Sequence, residues 1–530
     1  MIKVISKNIK GSKLGSFYSV LLAFIISVSF TSCTDWLDVR PESDQVLEDY
    51  WQNESQVNQV LAACYRSMLE DDYLARVMVW GELRSDNVVS GSDTPDDMFR
   101  MINVDITTSN GYVAWTPMYR TINYCNNWLY FSPDVLDLDP NFTKAKYQMA
   151  RAEVLTIRAL SYFYLVRTYK EVPWISTPSI DDSQDYNIAK SPEEVVLDSI
   201  TLDLKESLNY ITDGYDVEDY NKGRVTKNLI NTLLADIALW RNDYQATVNY
   251  CDAVLADKTL YLEEREDVLD NVFYLGNSTE SIFELQYVSS GITNNIVRDY
   301  LGYYGRELGF WKYPFNMTQK GGPFNYEASA GVIEGEDDIR KTDYIQQIDD
   351  ETFYPFKYVG LKYESTSSDG SSYGYSYRID WSNWVVYRLS DVILMKAEAL
   401  YEIGNDDQGV IDLVNETFLR SNPVTQDSLQ LDNYQGVDLR NLILRERQRE
   451  LMWEGKRWFD LMRLARREDS PSTLVNYVLK KFGGSGDNVE AKMSVMDALY
   501  LPIHIDEIKA NSALEQNPFY QVNSSSSTGN

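Results

Sequence analysis

Apolar residues recur at helical spacing along most of this chain, and the places where that spacing stops divide it into parts. Between Asn53 and Glu70, Val57, Val60, Leu61, Tyr65, Met68 and Leu69 predict an amphipathic helix. Further helices are predicted over Ala114 to Phe131 and over Ala145 to Lys170, the second aromatic-rich on one side and stopping at Pro173. Ser191-Pro192-Glu193-Glu194 opens another, with a capping Ser, Pro at the first helical position and acids in the first turn, running to about Ile211. Two helical pairs follow, Asn228 to Asp257 turning at Asn242-Asp243, and Ser390 to Arg420 turning at Gly404-Asn405. Both carry a seam of small residues, at Ala235 and Ala238 and at Ala397 and Ala399, where helices can approach closely. The pattern predicts a mainly α protein: a tetratricopeptide-like helical-repeat scaffold, at about 53–258 and 384–470, with a large irregular loop-rich insertion and few short strands.

The insertion, about 259–383, breaks the helical rhythm. From Tyr287 to Trp381, 20 of 95 residues are aromatic, about 21% against 13% overall, and 11 of the chain's 27 glycines fall there. SIFELQY, Ser281 to Tyr287, reads as a strand that packs inward through Ile282, Phe283 and Leu285, whereas SSDGSSYGYSYRIDW is loop-like. Long loops on a rigid scaffold commonly carry function. Sugar rings present apolar C–H faces and hydroxyls, so a glycan site needs flat aromatic platforms ringed by polar groups. Tyr300, Tyr303, Tyr304, Trp311 and Tyr313 form one such group, beside Arg298, Asp299 and Arg306. Tyr373, Tyr375 and Tyr377 alternate as on one strand face and, with Trp381, form a second. The polar segment Ser85 to Arg100 offers a rim through Asp86, Asn87 and Phe99. Each of these aromatics taken singly also suits core packing; the cluster is what suggests a ligand surface.

Asp438 to Arg467 interleaves Arg and Lys with Glu446, Glu450, Glu454 and Asp460, yet Leu442, Leu451, Trp453, Trp458 and Phe459 sit among the charges. It reads as a helix burying apolar groups and pairing Arg with carboxylate, with i,i+3 pairs Glu446–Arg449 and Glu454–Arg457, and Gly455 bending or dividing it. A structural ion-pair network is expected there, not a catalytic site.

Charge and composition narrow the chemistry. A formal net charge of −31 opposes nucleic-acid binding. The single histidine, His504, excludes a multi-His metal centre and reads as structural. Cys64, Cys125 and Cys251 lie in apolar helical segments without CxxC spacing, so at most one disulfide could join two of them. No P-loop, dinucleotide fingerprint or barrel pattern occurs, and no metal or cofactor is expected. At the N-terminus, Lys3, Lys7, Lys10 and Lys13 precede an apolar run, Val20 to Phe30, too short to span a bilayer. Phe30-Thr31-Ser32-Cys33 is similar to a relaxed bacterial lipobox, so 1–32 is expected to be a lipoprotein signal peptide with lipidation at Cys33. Loss of the four lysines would take the charge from −31 to −35. An acidic tether over 33–52 and one domain over 53–530 would follow.

Several blocks carry a family resemblance: DWLDVRP after Cys33, RAEVLTIRALSYFYLVRTYKEVPW, GRVTKNLINTLLADIALW, YRLSDVILMKAEALYEIGN, ERQRELMWEGKRWFDLMRL and YLPIHIDEIKANSALEQNPFY. Together they resemble the SusD/RagB family of outer-membrane nutrient-binding lipoproteins. The resemblance implies four tetratricopeptide-like units and an irregular ligand-facing remainder. It also implies no catalysis, an outer-membrane location facing the exterior, and service as a lid on a SusC-like TonB-dependent transporter. The ligand implied is an oligosaccharide; a peptide-capturing lid and a surface glycoside hydrolase stay open as alternatives. Asp35 and Asp38 resemble the family's surface-export signal.

Overall fold

The structure is a computed structural model. It describes residues 50–180, 183–288, 290–302, 309–315, 323–324, 326–327, 333–334, 338–347, 353–358, 361–365, 367, 369–377, 381–422, 429–483 and 486–521. Cys33 and the segment before it lie outside the described residues.

Helix follows the apolar rhythm closely. α1 spans Glu54–Met68 and begins with a reciprocal cap, in which Asn53 accepts from the Gln56 amide and Gln56 accepts from the Asn53 amide. α2 is Asp71–Met78, α3 Thr116–Leu138, and α4 Lys144–Tyr169. α3 continues past the expected end at Phe131 and through Pro133, because Ser132 and Val135 in that turn are buried and packing outweighs one missing backbone bond. α4 is buried on every side from Ala152 to Tyr169 rather than along one stripe, as befits a helix enclosed by neighbours. α5, Glu193–Ser207, starts one residue later than the capping pattern suggests, because Ser191 pairs with Val172 as a β-bridge and leaves Pro192 at the cap.

The two helical pairs form α6 Lys227–Trp240 with α7 Tyr244–Leu255, and α8 Leu389–Ile403 with α9 Asp407–Ser421. Each turn is built as its residues dictate. Asn242 takes φ +61° and Asp243 caps α7; Gly404 takes φ +74° and Asp406 caps α9. The helices stack as near neighbours, α1 on α3, α3 on α4, α4 on α5, α5 on α6, and α7 directly on α8 although the whole insertion lies between them in sequence. The array then continues through α10 Val437–Leu451, α11 Arg457–Glu468 and α12 Ser472–Leu479.

The insertion is rooted by two fully buried strands, β1 Ser281–Leu285 and β4 Trp384–Arg388, paired antiparallel with Leu285 opposite Trp384. Its two ends therefore leave and re-enter the scaffold at one ribbon. Farther out, β2 Leu361–Ser365 pairs with β3 Tyr373–Tyr377, placing Tyr375 opposite Tyr363. The strand expected at Tyr373 to Tyr377 is thus present. His504 caps the short helix Ile505–Ala510, accepting from the Asp506 amide at 3.2 Å, which makes it the structural residue expected. Cys64, Cys125 and Cys251 are buried free thiols.

Candidate functional site

The charged stretch divides where a glycine requires it. α10 and α11 are separated by residues 452–456, with Trp453 at φ +61° and Gly455 at φ +70°. A Cβ on Gly81 would lie 1.9 Å from the Gly455 carbonyl oxygen, so the two backbones touch and a side chain at Gly81 would collide with backbone.

Around α10 the charges close upon themselves. Glu450 accepts from Arg388 at 2.6 Å, from Arg340 at 2.8 Å and from Arg420. Glu446 accepts from Arg340 and from Arg449, both at 2.9 Å. Glu454 binds Arg388 at 2.8 Å and the Lys357 ammonium; Glu280 binds Arg388 and, at 2.7 Å, Arg420. Asp338 holds Arg340 at 2.6 Å. All of these side chains except the partly exposed Arg420 are buried, and each carboxylate has a cation beside it. Burial alone would raise the Glu450 carboxyl, but Arg420, Arg388 and Arg340 outweigh it and hold it well below the ordinary range. The members come from the scaffold (α9 and α10), from the ribbon root (Glu280 and Arg388) and from the insertion (Asp338, Arg340, Lys357), so the cluster fastens insertion to scaffold. The pairing expected between Glu454 and Arg457 does not form, because the break after α10 turns them to different partners. Arg457 instead reaches Asp86, Nε to Oδ1 at 2.7 Å and Nη2 to Oδ2 at 2.8 Å. A second closed set joins Arg447 to Asp391 and Asp460, and Arg463 to Asp460 and Glu398.

This wiring corrects the expected rim. Asp86 and Asn87 are buried, Asp86 by its fork to Arg457 and Asn87 by donating to Glu82 at 2.7 Å and accepting from Gln448 at 2.7 Å. Burial pushes the Glu82 carboxyl up to about 7 even so. The first aromatic group is largely core as well. Trp311 is fully buried, its ring 5.4 Å from that of Tyr300, and Tyr313 is buried edge-on to Trp453 at 6.0 Å. Gly309 lets the chain fold back so closely that a Cβ there would lie 2.4 Å from the Tyr300 carbonyl oxygen. Tyr300, Trp311 and Tyr313 are therefore covered by protein and present no face to a ligand. Tyr303, Tyr304 and Arg306 lie outside the described residues. Tyr373 and Tyr375 have their backbone in β3, their side chains being outside the described residues, and Trp381 is half-buried immediately before the ribbon root.

Three hollows deserve a ligand's consideration among the described residues. A broad groove of about 770 Å³ runs along α1 past Asn58, Gln59, Arg66, Tyr220 and Gln286. A pocket of about 250 Å³ lies between Trp115, Tyr119, Asn123, Tyr186 and Glu507. A narrower one of about 170 Å³ lies at the outer side of α10, walled by Phe315, Pro323, Arg445, Gln448, Tyr477 and Lys480. Sequence reasoning missed this last cavity, since its walls come from four distant segments, Asp86 included, and only the Lys480-Lys481 pair marks it locally.

Two family models match the chain. One, described as the SusD family, matches residues 293–520; the other, described as starch-binding and associating with the outer membrane, matches residues 35–239. The chain belongs to the SusD family. It is 26% identical to SusD-like protein P38 of Formosa agariphila over 496 residues, covering 84% of this chain and 92% of that protein. SusD-like protein P2 of the same organism is 22% identical over 94% of this chain and 98% of its own length. Solved structures agree in fold. A SusD homolog from Bacteroides thetaiotaomicron superposes with TM-score 0.69 at 18% identity, covering 91% of this chain and 99% of that one. B. fragilis NanU does so with TM-score 0.68 at 20% identity, covering 91% and 100%. The tetratricopeptide-like scaffold with its irregular insertion is thus the SusD fold, and family members are binding proteins.

Proposed function

We propose that this protein is a lipid-anchored cell-surface receptor that binds an oligosaccharide and passes it, as a lid, to a SusC-like TonB-dependent transporter. The carrying observation is the division of labour in the fold: an aromatic insertion outside the helical repeats, fastened to them by the ion pairs of Glu446, Glu450 and Glu454. Membership of a family with a starch-binding, outer-membrane-associated model supports glycan over other ligands. Anchoring through Cys33 would suit this role, as no helix among the described residues is long and apolar enough to cross a membrane. Tyr373, Tyr375 and Trp381 are the platforms in this reading, with Tyr303 and Tyr304 as further candidates from the insertion's sequence. Flat aromatic faces on a short ribbon can stack on successive sugar rings while the scaffold stays fixed.

Calorimetric titration against a panel of plant and host polysaccharides tests the reading. Saturable binding that Trp381→Ala or Tyr375→Ala weakens, at an unchanged unfolding midpoint, is expected. Silence across the panel, or a peptide co-purifying in the place of glycan, would overturn it. For the anchor, Cys33→Ala should move the protein from the membrane to the soluble fraction; unchanged fractionation would refute lipidation.

A further inference from the structure

The pocket of about 250 Å³ is walled on one side by α3 and on another by the short helix Ile505–Ala510. Thr116, Tyr119, Asn123 and Asn126 recur along α3 at helical spacing, so one face of that helix lines it. Glu507 lines it from the short helix, held in place by the Thr116 hydroxyl, which donates to its Oε1 at 2.8 Å. Its other carboxylate oxygen has no partner among the described residues, and no described Lys, Arg or His pairs with it. Arg158 donates to the Asn126 side chain in the wall at 3.0 Å, but its charge is answered by Asp203 at 2.6 Å. Among the described lining residues, then, there is one carboxylate and no cation.

Trp115, Tyr119 and Tyr186 supply aromatic surface around that carboxylate. The Trp115 and Tyr119 rings meet edge to face at 5.6 Å, and Tyr119 is pinned by donating its hydroxyl to the Pro173 carbonyl oxygen at 2.7 Å. Burial pushes the Tyr119 hydroxyl well above its ordinary pKa, and the Tyr162 hydroxyl and the Glu507 carboxylate add to the rise, which places that charge within reach of the ring. Tyr186 is the more exposed wall. Asn123 accepts from the Ser179 amide at 2.8 Å, leaving its own NH2 group as a donor. A carboxylate beside aromatic faces suits an ammonium, which gains a charge-assisted hydrogen bond and a cation–π attraction together. A neutral ring would strip water from Glu507 and leave its charge without a counterpart. The net charge of −31 adds a general attraction for cations.

We propose that this pocket is a second saccharide site, apart from the insertion, that takes one amino-sugar ring with its ammonium on Glu507 and its apolar face against the tyrosines. The proposal rests on the glycan-binding reading above and adds a substrate class. One charge-assisted contact predicts a preference of about tenfold or more for the amine over a hydroxyl at the same position.

The test is calorimetric titration of the full protein with the glucosamine trisaccharide of chitosan and with cellotriose, which carries a hydroxyl in place of each ammonium. Physiological salt screens the general attraction of a cation to an acidic chain. Tighter binding of the amine, lost in Glu507→Gln and weakened in Tyr186→Ala, is the expected result. Glutamine keeps an acceptor for the Thr116 hydroxyl, so Glu507→Gln should hold the wild-type unfolding midpoint. Equal binding of the two trisaccharides by wild type, or binding of neither, overturns this proposal and leaves the glycan reading to the polysaccharide panel. Silence there as well overturns the two together. An amine preference that Glu507→Gln leaves intact overturns the assignment to this pocket. Trilysine bound more tightly than the amino sugar, with the same loss in Glu507→Gln, overturns the sugar class.

Discussion

Two sides of α10 carry the same residue types to opposite ends. On the inner side Glu446 and Glu450 meet Arg340, Arg388, Arg420 and Arg449, each carboxylate answered by a cation. On the outer side Asn441, Arg445 and Gln448 line a cavity of about 170 Å³ together with Phe315, Pro323, Tyr477 and Lys480. Buried charge by itself therefore does not mark a binding site. Balanced charge in a closed space makes a clamp, and the outer side differs in opening onto a cavity.

The largest effect should come from breaking the balanced side. Glu450→Ala would leave three arginines competing for the remaining carboxylates, Arg388 and Arg420 for Glu280 and Glu454, Arg340 for Glu446 and Asp338, and removing one partner of a buried pair costs about 3–5 kcal/mol; urea denaturation should show that loss at pH 7. Replacing Trp311 by Ala should cost a comparable amount, about 3–5 kcal/mol, because it empties a fully buried indole site. A Trp311→Ala variant with wild-type stability but weakened ligand binding would restore that residue to the site.

Acid should weaken the clamp more gradually. Glu450, Glu446, Asp391, Glu398 and Asp86 are all held below their ordinary values; in each, burial works the other way and the neighbouring cations prevail. Depressed carboxyl groups contribute stability that is complete above their unfolded-state values, about 4, and lost as pH falls through the folded ones. Thermal midpoints should accordingly hold near neutral pH and decline progressively below about pH 4. Least of all, Lys480→Gln on the outer side should change stability by no more than about 0.5 kcal/mol. A large loss there would make Lys480 part of the clamp.

Much of this division was legible in the sequence. Leu442, Leu451 and Trp458 set among charges indicated a buried ion-pair helix, and Gly455 indicated its break. The small-residue seams at Ala235 and Ala397 indicated the stacked pairs. What could not be read is pairing over long range: Arg457 with Asp86, or Glu450 with Arg388, are joined only by the folded chain. For the same reason composition could not separate Trp311, closed under Tyr300, from Trp381, half-exposed at the ribbon root. Both sit in one aromatic-rich, glycine-broken insertion, and tertiary packing alone assigns one to the core.

Hydrogen–deuterium exchange with and without a bound oligosaccharide tests most directly where recognition lies. The account predicts new protection in β2 and β3, with α6, α7 and the clamp segments of α10 unchanged because they are already closed. Protection confined to the groove along α1, with the insertion unaffected, would contradict it.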